Sequence, residues 1–364
     1  MRSLWNTVCL VNRVVLLKHE LNPPQGECTR NAKRIFRFHA IPLNPRPGAI
    51  MSHPRHDSLP RGIVPVLQTP FDSAGKVDRA SLDRLVEDAI AGGAAGFLAP
   101  AVASEVAHLS SDEREQIIRQ VAARVGNRVP LIVGASSDDA RICGQLATLA
   151  AEVGAVAWLV AVPQALYGRP DDVVPFFRKA SAGCELPLVI QDLQFGAAGL
   201  SLETIQDLDR ALPRLAGLKI ETAPAGPKYT AVRHAFGPDC FVAGGWAVMQ
   251  MIEALDRGVD AMIPESSMIR VYTAIHRLHA TERRDEALRI FQALLPVLAF
   301  TNQELTTSIA FFKRLLMRKG IFAHDGLRMP GFVWDDFNRR IADELIDHYL
   351  ALEREVASIP FAKG

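Results

Sequence analysis

The run LAGLKIET, Leu215 to Thr222, is apolar enough for a buried strand, yet it carries Lys219 and Glu221. Side chains alternate between two faces of a strand, so Ala216, Leu218 and Ile220 are expected on one face and Gly217, Lys219 and Glu221 on the other. The first set packs. The second is small, cationic and acidic, which packing alone does not favour. Burial makes a lysine's neutral amine more accessible, and a neutral amine attacks carbonyl carbon, which is Schiff-base chemistry. From the residues alone, a buried salt bridge between Lys219 and Glu221 or another interior acid is an equal alternative.

Such a lysine needs a scaffold, and from residue 62 onward short apolar runs alternate with helix-length amphipathic segments, the pattern of βα units around a parallel sheet. Strands are expected at 62–68, 96–101, 129–135, 156–162, 186–192, 216–221, 240–245 and 260–264. Eight units is the count of a closed (β/α)8 TIM barrel. Helix starts are marked by caps, as where Ser110 or Ser111 precedes acids in SSDEREQ. A doubly wound sheet is the competing architecture, but the first strand is followed by TPFDSAGKVD rather than a glycine-rich phosphate turn. Three domains of sequence are expected: an extension over 1–55, the barrel over 56–282, and a C-terminal helical appendage over 283–364.

In a barrel, Lys219 falls toward the C-terminal ends of the strands, where active sites assemble. Strand five ends VIQD, with Val189 and Gln191 inward, Ile190 outward and Asp192 at the loop. Strand two runs into PAVASEVAHLSSDER, whose Ser104 and backbone N–H groups are candidates to hold a carboxylate, with Glu105 beyond. Strand seven ends AGGW, where Gly244 and Gly245 permit close approach of a ligand, and strand eight ends IPES, with Ile263 and Glu265. Each has a plainer reading as turn glycine, turn hydroxyl or solvated acid.

Composition narrows the classes. The 364 residues are 49% hydrophobic with a formal net charge of +1, so nothing biases the chain toward nucleic acid, and no apolar run is long enough to span a membrane. Cys9, Cys28, Cys143, Cys184 and Cys240 are scattered without metal-ligand or disulfide spacing, and the histidines form no HxH or HExxH pattern. A cytoplasmic protein without metal is expected. Residues 1–50 hold eight basic residues against two acids and include NPRPG. A transit peptide is one reading of that arm; the preferred one is an upstream over-extension or disordered arm, with Met51 as the true start.

Taken together, the opening GIVPVLQTPFDSAGKVD, the segment GFLAPAVASEVAHLSSDERE and GLKIET resemble the dihydrodipicolinate synthase and N-acetylneuraminate lyase superfamily of class I aldolases and dehydratases. The resemblance runs from about Arg61 to about Gly320. It implies that Lys219 forms an imine with a 2-oxo acid such as pyruvate, that no cofactor is needed, and that the protein is a homo-oligomer, a tetramer.

The departures from the family pattern are as informative. Where the family has GTTGE, this chain has Val102, Ala103 and Ser104 before the matching Glu105, and where it has a strand-five tyrosine this chain has Gln191 followed by Asp192. A primary amide does no acid–base work near neutral pH. The arginine that binds substrate carboxylate in dihydrodipicolinate synthases is also missing from QFGAAG, which argues against that activity. ASEV, VIQD and LKIE are more similar to the L-2-keto-3-deoxyarabonate dehydratase branch. The resemblance therefore implies dehydration of a 2-keto-3-deoxy sugar acid, with a pyruvate-releasing aldolase and a catalytically inactive 2-oxo-acid-binding barrel as alternatives. Proton-transfer candidates are Glu105, Asp192, Glu221 and Tyr167. Val102, Ala103, Ser104, Glu105, Glu221, Gly244, Gly245 and Ile263 are the expected substrate-binding set.

Overall fold

A computed structural model of the chain describes residues 58–245 and 248–360. The expected N-terminal extension lies outside the described residues. Eight βα units follow one another: β1 (Gly62–Ile63), α1 (Arg79–Ala91), β2 (Phe97–Ala99), α2 (Ser111–Val125), β3 (Leu131–Gly134), α3 (Ala140–Glu152), β4 (Ala157–Ala161), α4 (Pro170–Ala180), β5 (Leu188–Leu193), α5 (Leu202–Ala211), β6 (Leu215–Glu221), α6 (Gly226–Phe236), β7 (Phe241–Gly244), α7 (Met251–Asp256), β8 (Ala261–Met262) and α8 (Ile269–Ala280). Helices α9 (Arg284–Thr301), α10 (Leu305–Arg318) and α11 (Asp336–Ala357) come after. All strand pairs are parallel, in the order β1-β8-β7-β6-β5-β4-β3-β2. Val66, just past β1, bridges both Leu98 and Glu265 and so joins the two ends of the sheet into a TIM barrel.

The sequence explains the elements locally. Ser110 caps α2 by accepting from the Glu113 N–H at 3.2 Å, while the Glu113 carboxylate accepts from the Ser110 N–H at 2.9 Å. Ser201 and Asp335 cap α5 and α11 through the side chain alone, accepting from the Thr204 and Asn338 N–H groups. Strand side chains then divide between two cores. Val64, Leu98, Ile132, Leu159, Val189 and Ile263 fill the barrel interior, while Val133, Trp158, Ile190, Leu218 and Ile220 pack outward under the helices. No described helix is long and apolar enough to cross a membrane.

One expected register is corrected. Leu188 pairs with Leu215, but Val189 pairs with Gly217, so Ala216 is an extra residue opposite β5. Ala216 joins the interior cluster, not the outward face of Leu218 and Ile220. The bulge needs glycine next to it. A Cβ on Gly217 would lie 1.8 Å from the Phe241 carbonyl oxygen.

Candidate active site

Downstream of the bulge the ladder is regular, and it sets Gln191 of β5 directly beside Lys219 of β6. Lys219 is 3% exposed, and its Nζ lies 3.1 Å from Glu221 Oε1, one strand period further along the same face. The other Glu221 oxygen accepts from Gln191 Nε2. Amine, carboxylate and amide thus form one chain, in which the amide nitrogen is turned to Glu221 because its oxygen would be repelled there. Gln191 Oε1 is left buried without a hydrogen-bond partner. Gly245 makes room for the group, since a Cβ there would lie 2.1 Å from Glu221 Oε1 and 2.7 Å from Lys219 Cε.

Lys219, Gln191 and Glu221 line one cavity together with Val102, Ala103 and Ile263. Helix α10 contributes Leu305, Ser308, Ile309 and Phe312 to the cavity wall. The C-terminal appendage is therefore part of the site. No tyrosine lines the cavity among the described residues.

Glu265 also lines it and was not among the expected proton carriers. It is buried, and it accepts from Gln68 Nε2 at 2.7 Å, the Met268 N–H and the Tyr272 hydroxyl at 3.2 Å each, and the Ser267 N–H. Burial pushes its carboxyl above the usual range, and these donors oppose the shift. With every lone-pair direction taken, Glu265 ties the end of β8 to the start of α8 and to Gln68. Gln68 was legible by parity, because it follows Val64 and Val66 on the inward face.

Several expected residues lie elsewhere. Asp192 is within β5, not in a loop, and takes the outward parity of Ile190; it accepts from the Tyr167 hydroxyl at 2.9 Å, from the Leu200 N–H at 3.1 Å and from Lys228 Nζ. Neither Asp192 nor Tyr167 lines the cavity. Burial and the adjoining carboxylate push the Tyr167 phenol far above its ordinary value, so it is held as a neutral donor to Asp192.

Glu105 adopts a left-handed backbone (φ 56°), which turns it from the cavity toward the C-terminal region. There it pairs with Lys313 Nζ and accepts from the Arg328 and Met329 N–H groups at 2.7 and 3.1 Å. The Ser104 hydroxyl accepts from the Ala101 N–H at 3.0 Å and donates to the Leu67 carbonyl at 2.5 Å, so it folds its own turn. Gly244 faces outward, where a Cβ would meet the Tyr229 hydroxyl at 2.7 Å.

Known proteins are similar to this chain over most of its length. The chain is 28% identical over 286 residues to an L-2-keto-3-deoxyarabonate dehydratase of Azospirillum brasilense, covering 77% of this chain and 90% of that one. It is 31% identical over 300 residues to a 4-hydroxy-tetrahydrodipicolinate synthase of Xanthomonas axonopodis pv. citri (strain 306), covering 80% and 95%. Among solved structures, a dihydrodipicolinate synthase from Rhodopseudomonas palustris superposes with a TM-score of 0.74 at 23% identity, covering 80% of this chain and 98% of the other. A Ruminococcus gnavus sialic acid aldolase gives 0.74 at 16%, covering 81% and 99%; these two likenesses speak for the fold. The profile of the dihydrodipicolinate synthetase family matches residues 59–347, and the chain belongs to that family.

Proposed function

We propose that this lyase forms an imine between Lys219 and the C2 carbonyl of a 2-oxo acid and dehydrates a substrate that carries a C4 hydroxyl, with the 2-keto-3-deoxy sugar acids as the class to test first. The observation that carries the reading is the Lys219–Glu221–Gln191 chain at a cavity that, among the described residues, is lined by one amine and the carboxylates of Glu221 and Glu265 but by no phenol. The similarity to the A. brasilense dehydratase supports the same choice.

The chemistry closes with these groups. The Lys219 amine adds to C2 and water leaves, which gives an iminium that acidifies the C3 hydrogen. Glu221, 3.1 Å from Nζ, is the group positioned to take that proton. The enamine electron pair then expels the C4 hydroxyl, and the proton on Glu221 returns to it as water departs. Hydrolysis of the conjugated imine restores the Lys219 amine, so one water is lost overall and no cofactor enters. Retro-aldol cleavage would instead require a base on the C4 hydroxyl.

Incubation with 2-keto-3-deoxypentonate and 2-keto-3-deoxyhexonate, read by product mass, tests this. A product lighter by one water, absent with Lys219→Ala, is expected. Release of pyruvate and an aldehyde, or no turnover of any 4-hydroxy-2-oxo acid, contradicts it.

A further inference from the structure

We infer that Ser308 accepts a hydrogen bond from a substrate hydroxyl beyond C4, and so selects the hydroxylated tail of a sugar acid over a hydrocarbon tail of the same length. This rests on the imine reading of Lys219 and names a residue that sets its substrate class.

Ser308 comes from α10, which follows the eight βα units. Leu305, Ser308, Ile309 and Phe312 recur at three- and four-residue spacing, so they share the face of the helix that lines the cavity. Ser308 is the polar member of that stripe, and it is buried. Its hydroxyl donates to the Thr301 carbonyl at 2.5 Å. A hydroxyl has one proton and two lone pairs, so with the proton committed the oxygen can only accept. A sugar acid carries O–H groups along its tail that can donate to it.

The rest of the lining suits the other end of the substrate. At the β2 turn Val102 and Ala103 open a single 3-10 turn, so their backbone N–H groups have no acceptor within it. Those donors, with Lys219, match the carboxylate and carbonyl end. Gln191 Oε1 is a buried acceptor without a partner, but it stands on the strand beside the lysine and serves groups close to the imine carbon. Glu221 is also beside the lysine, and Glu265 already accepts four hydrogen bonds. Ser308 is instead supplied by a helix outside the barrel. Lys313, further along α10, pairs with Glu105 at the end of the β2 turn, which fixes the spacing between the donors of that turn and the acceptor on the helix. A tail hydroxyl that meets Ser308 regains a hydrogen bond given up on leaving water, whereas a methyl there leaves the serine oxygen unfilled.

Two five-carbon acids isolate the tail: 2-keto-3-deoxypentonate, with a hydroxyl on C5, and 4-hydroxy-2-oxopentanoate, with a methyl there. Each is offered as both C4 epimers to the full chain and to Ser308→Ala. The readouts are kcat/KM and the rate of borohydride trapping on Lys219, with pyruvate as the control that has no tail. The unaltered protein is expected to favour the C5 hydroxyl by about fivefold or more, the scale of one buried hydrogen bond. Ser308→Ala is expected to bring the ratio to within about twofold of unity while still trapping pyruvate. Ser308→Cys, close in shape but with a weak acceptor, is expected to do the same. A serine that only ties α10 to the end of α9 would, when replaced, slow both acids alike. Such a parallel loss, or no tail preference in the unaltered protein, overturns the inference and leaves the imine reading standing where pyruvate is trapped. Failure of pyruvate to trap on the folded, unaltered protein overturns both.

Discussion

Among the described residues two lysines are buried beside glutamates, and their surroundings differ. Lys313 on α10 is fully buried, pairs with Glu105, donates to the Gly326 carbonyl at 2.9 Å and lies 4.1 Å above the Phe71 ring. Glu105 is in turn closed by two N–H groups, those of Arg328 and Met329. Every bond there is internal, and the group joins the β2 turn to the C-terminal segment. Lys219 has the same partner type at 3.1 Å, but it borders a cavity, and the amide that steadies its glutamate keeps a bare oxygen. Burial beside a glutamate is common to both lysines, so it cannot by itself select between them. Space at the nitrogen and an unsatisfied neighbour are what set Lys219 apart as the lysine proposed to react.

Breaking each pair in turn should separate the two roles. Lys219→Ala is expected to abolish turnover; it leaves Glu221 without its cation, but Gln191 still donates to that carboxylate and the cavity beside it gives access to water, so the fold is expected to stand. Lys313→Met should do the reverse, costing about 3–5 kcal/mol in urea unfolding by stranding Glu105, while the protein that remains folded still traps pyruvate. Gly245→Ala tests whether the proposed catalytic pair depends on the missing Cβ. With 2.1 Å to Glu221 Oε1, the pair must shift, and the trapping rate should fall by about tenfold or more at a stability cost of about 1–3 kcal/mol.

The clamp around Lys313 also carries an acid-sensitive part. The Arg328 guanidinium forks onto both oxygens of Glu113 at 2.6 and 2.7 Å and holds its carboxyl down to about 2. A carboxylate with a depressed folded pKa stabilises the protein above its unfolded value near 4.5, and that stability is lost as pH falls toward 2. Glu113→Gln should flatten the stability profile in that window by about 1–2 kcal/mol, discounted for partial exposure. The smallest effect is expected at the back of β5. Tyr167→Phe removes one hydrogen bond to Asp192, so it should cost about 1 kcal/mol and leave turnover within about twofold.

Much of this was legible in the sequence because a barrel repeats one simple pattern. The eight strands, Lys219 and Glu221 on the inward face, and Gln191 beside them all follow from alternation along short apolar runs. Alternation along the strand expected at 186–192 also places Asp192 outward, and β5 runs on through it to Leu193 instead of giving way to a loop there. What could not be read depends on departures from alternation or on contacts far apart in the chain. The extra residue Ala216 breaks the parity rule at one step of β6. Glu105 matches the family pattern by type, yet a left-handed backbone and a lysine 208 residues away turn it into a structural joint. The amphipathic pattern of α10 identifies a helix but not the cavity that its Ile309 and Phe312 enclose.

Lys219, and not Lys313, is the lysine proposed to react with a 2-oxo acid. Borohydride reduction in the presence of pyruvate, followed by intact mass and peptide mapping, tests it most directly. A single adduct is expected on the peptide that contains Lys219, lost in Lys219→Ala and kept in Lys313→Met. An adduct on another lysine, or none on a folded protein, would contradict it.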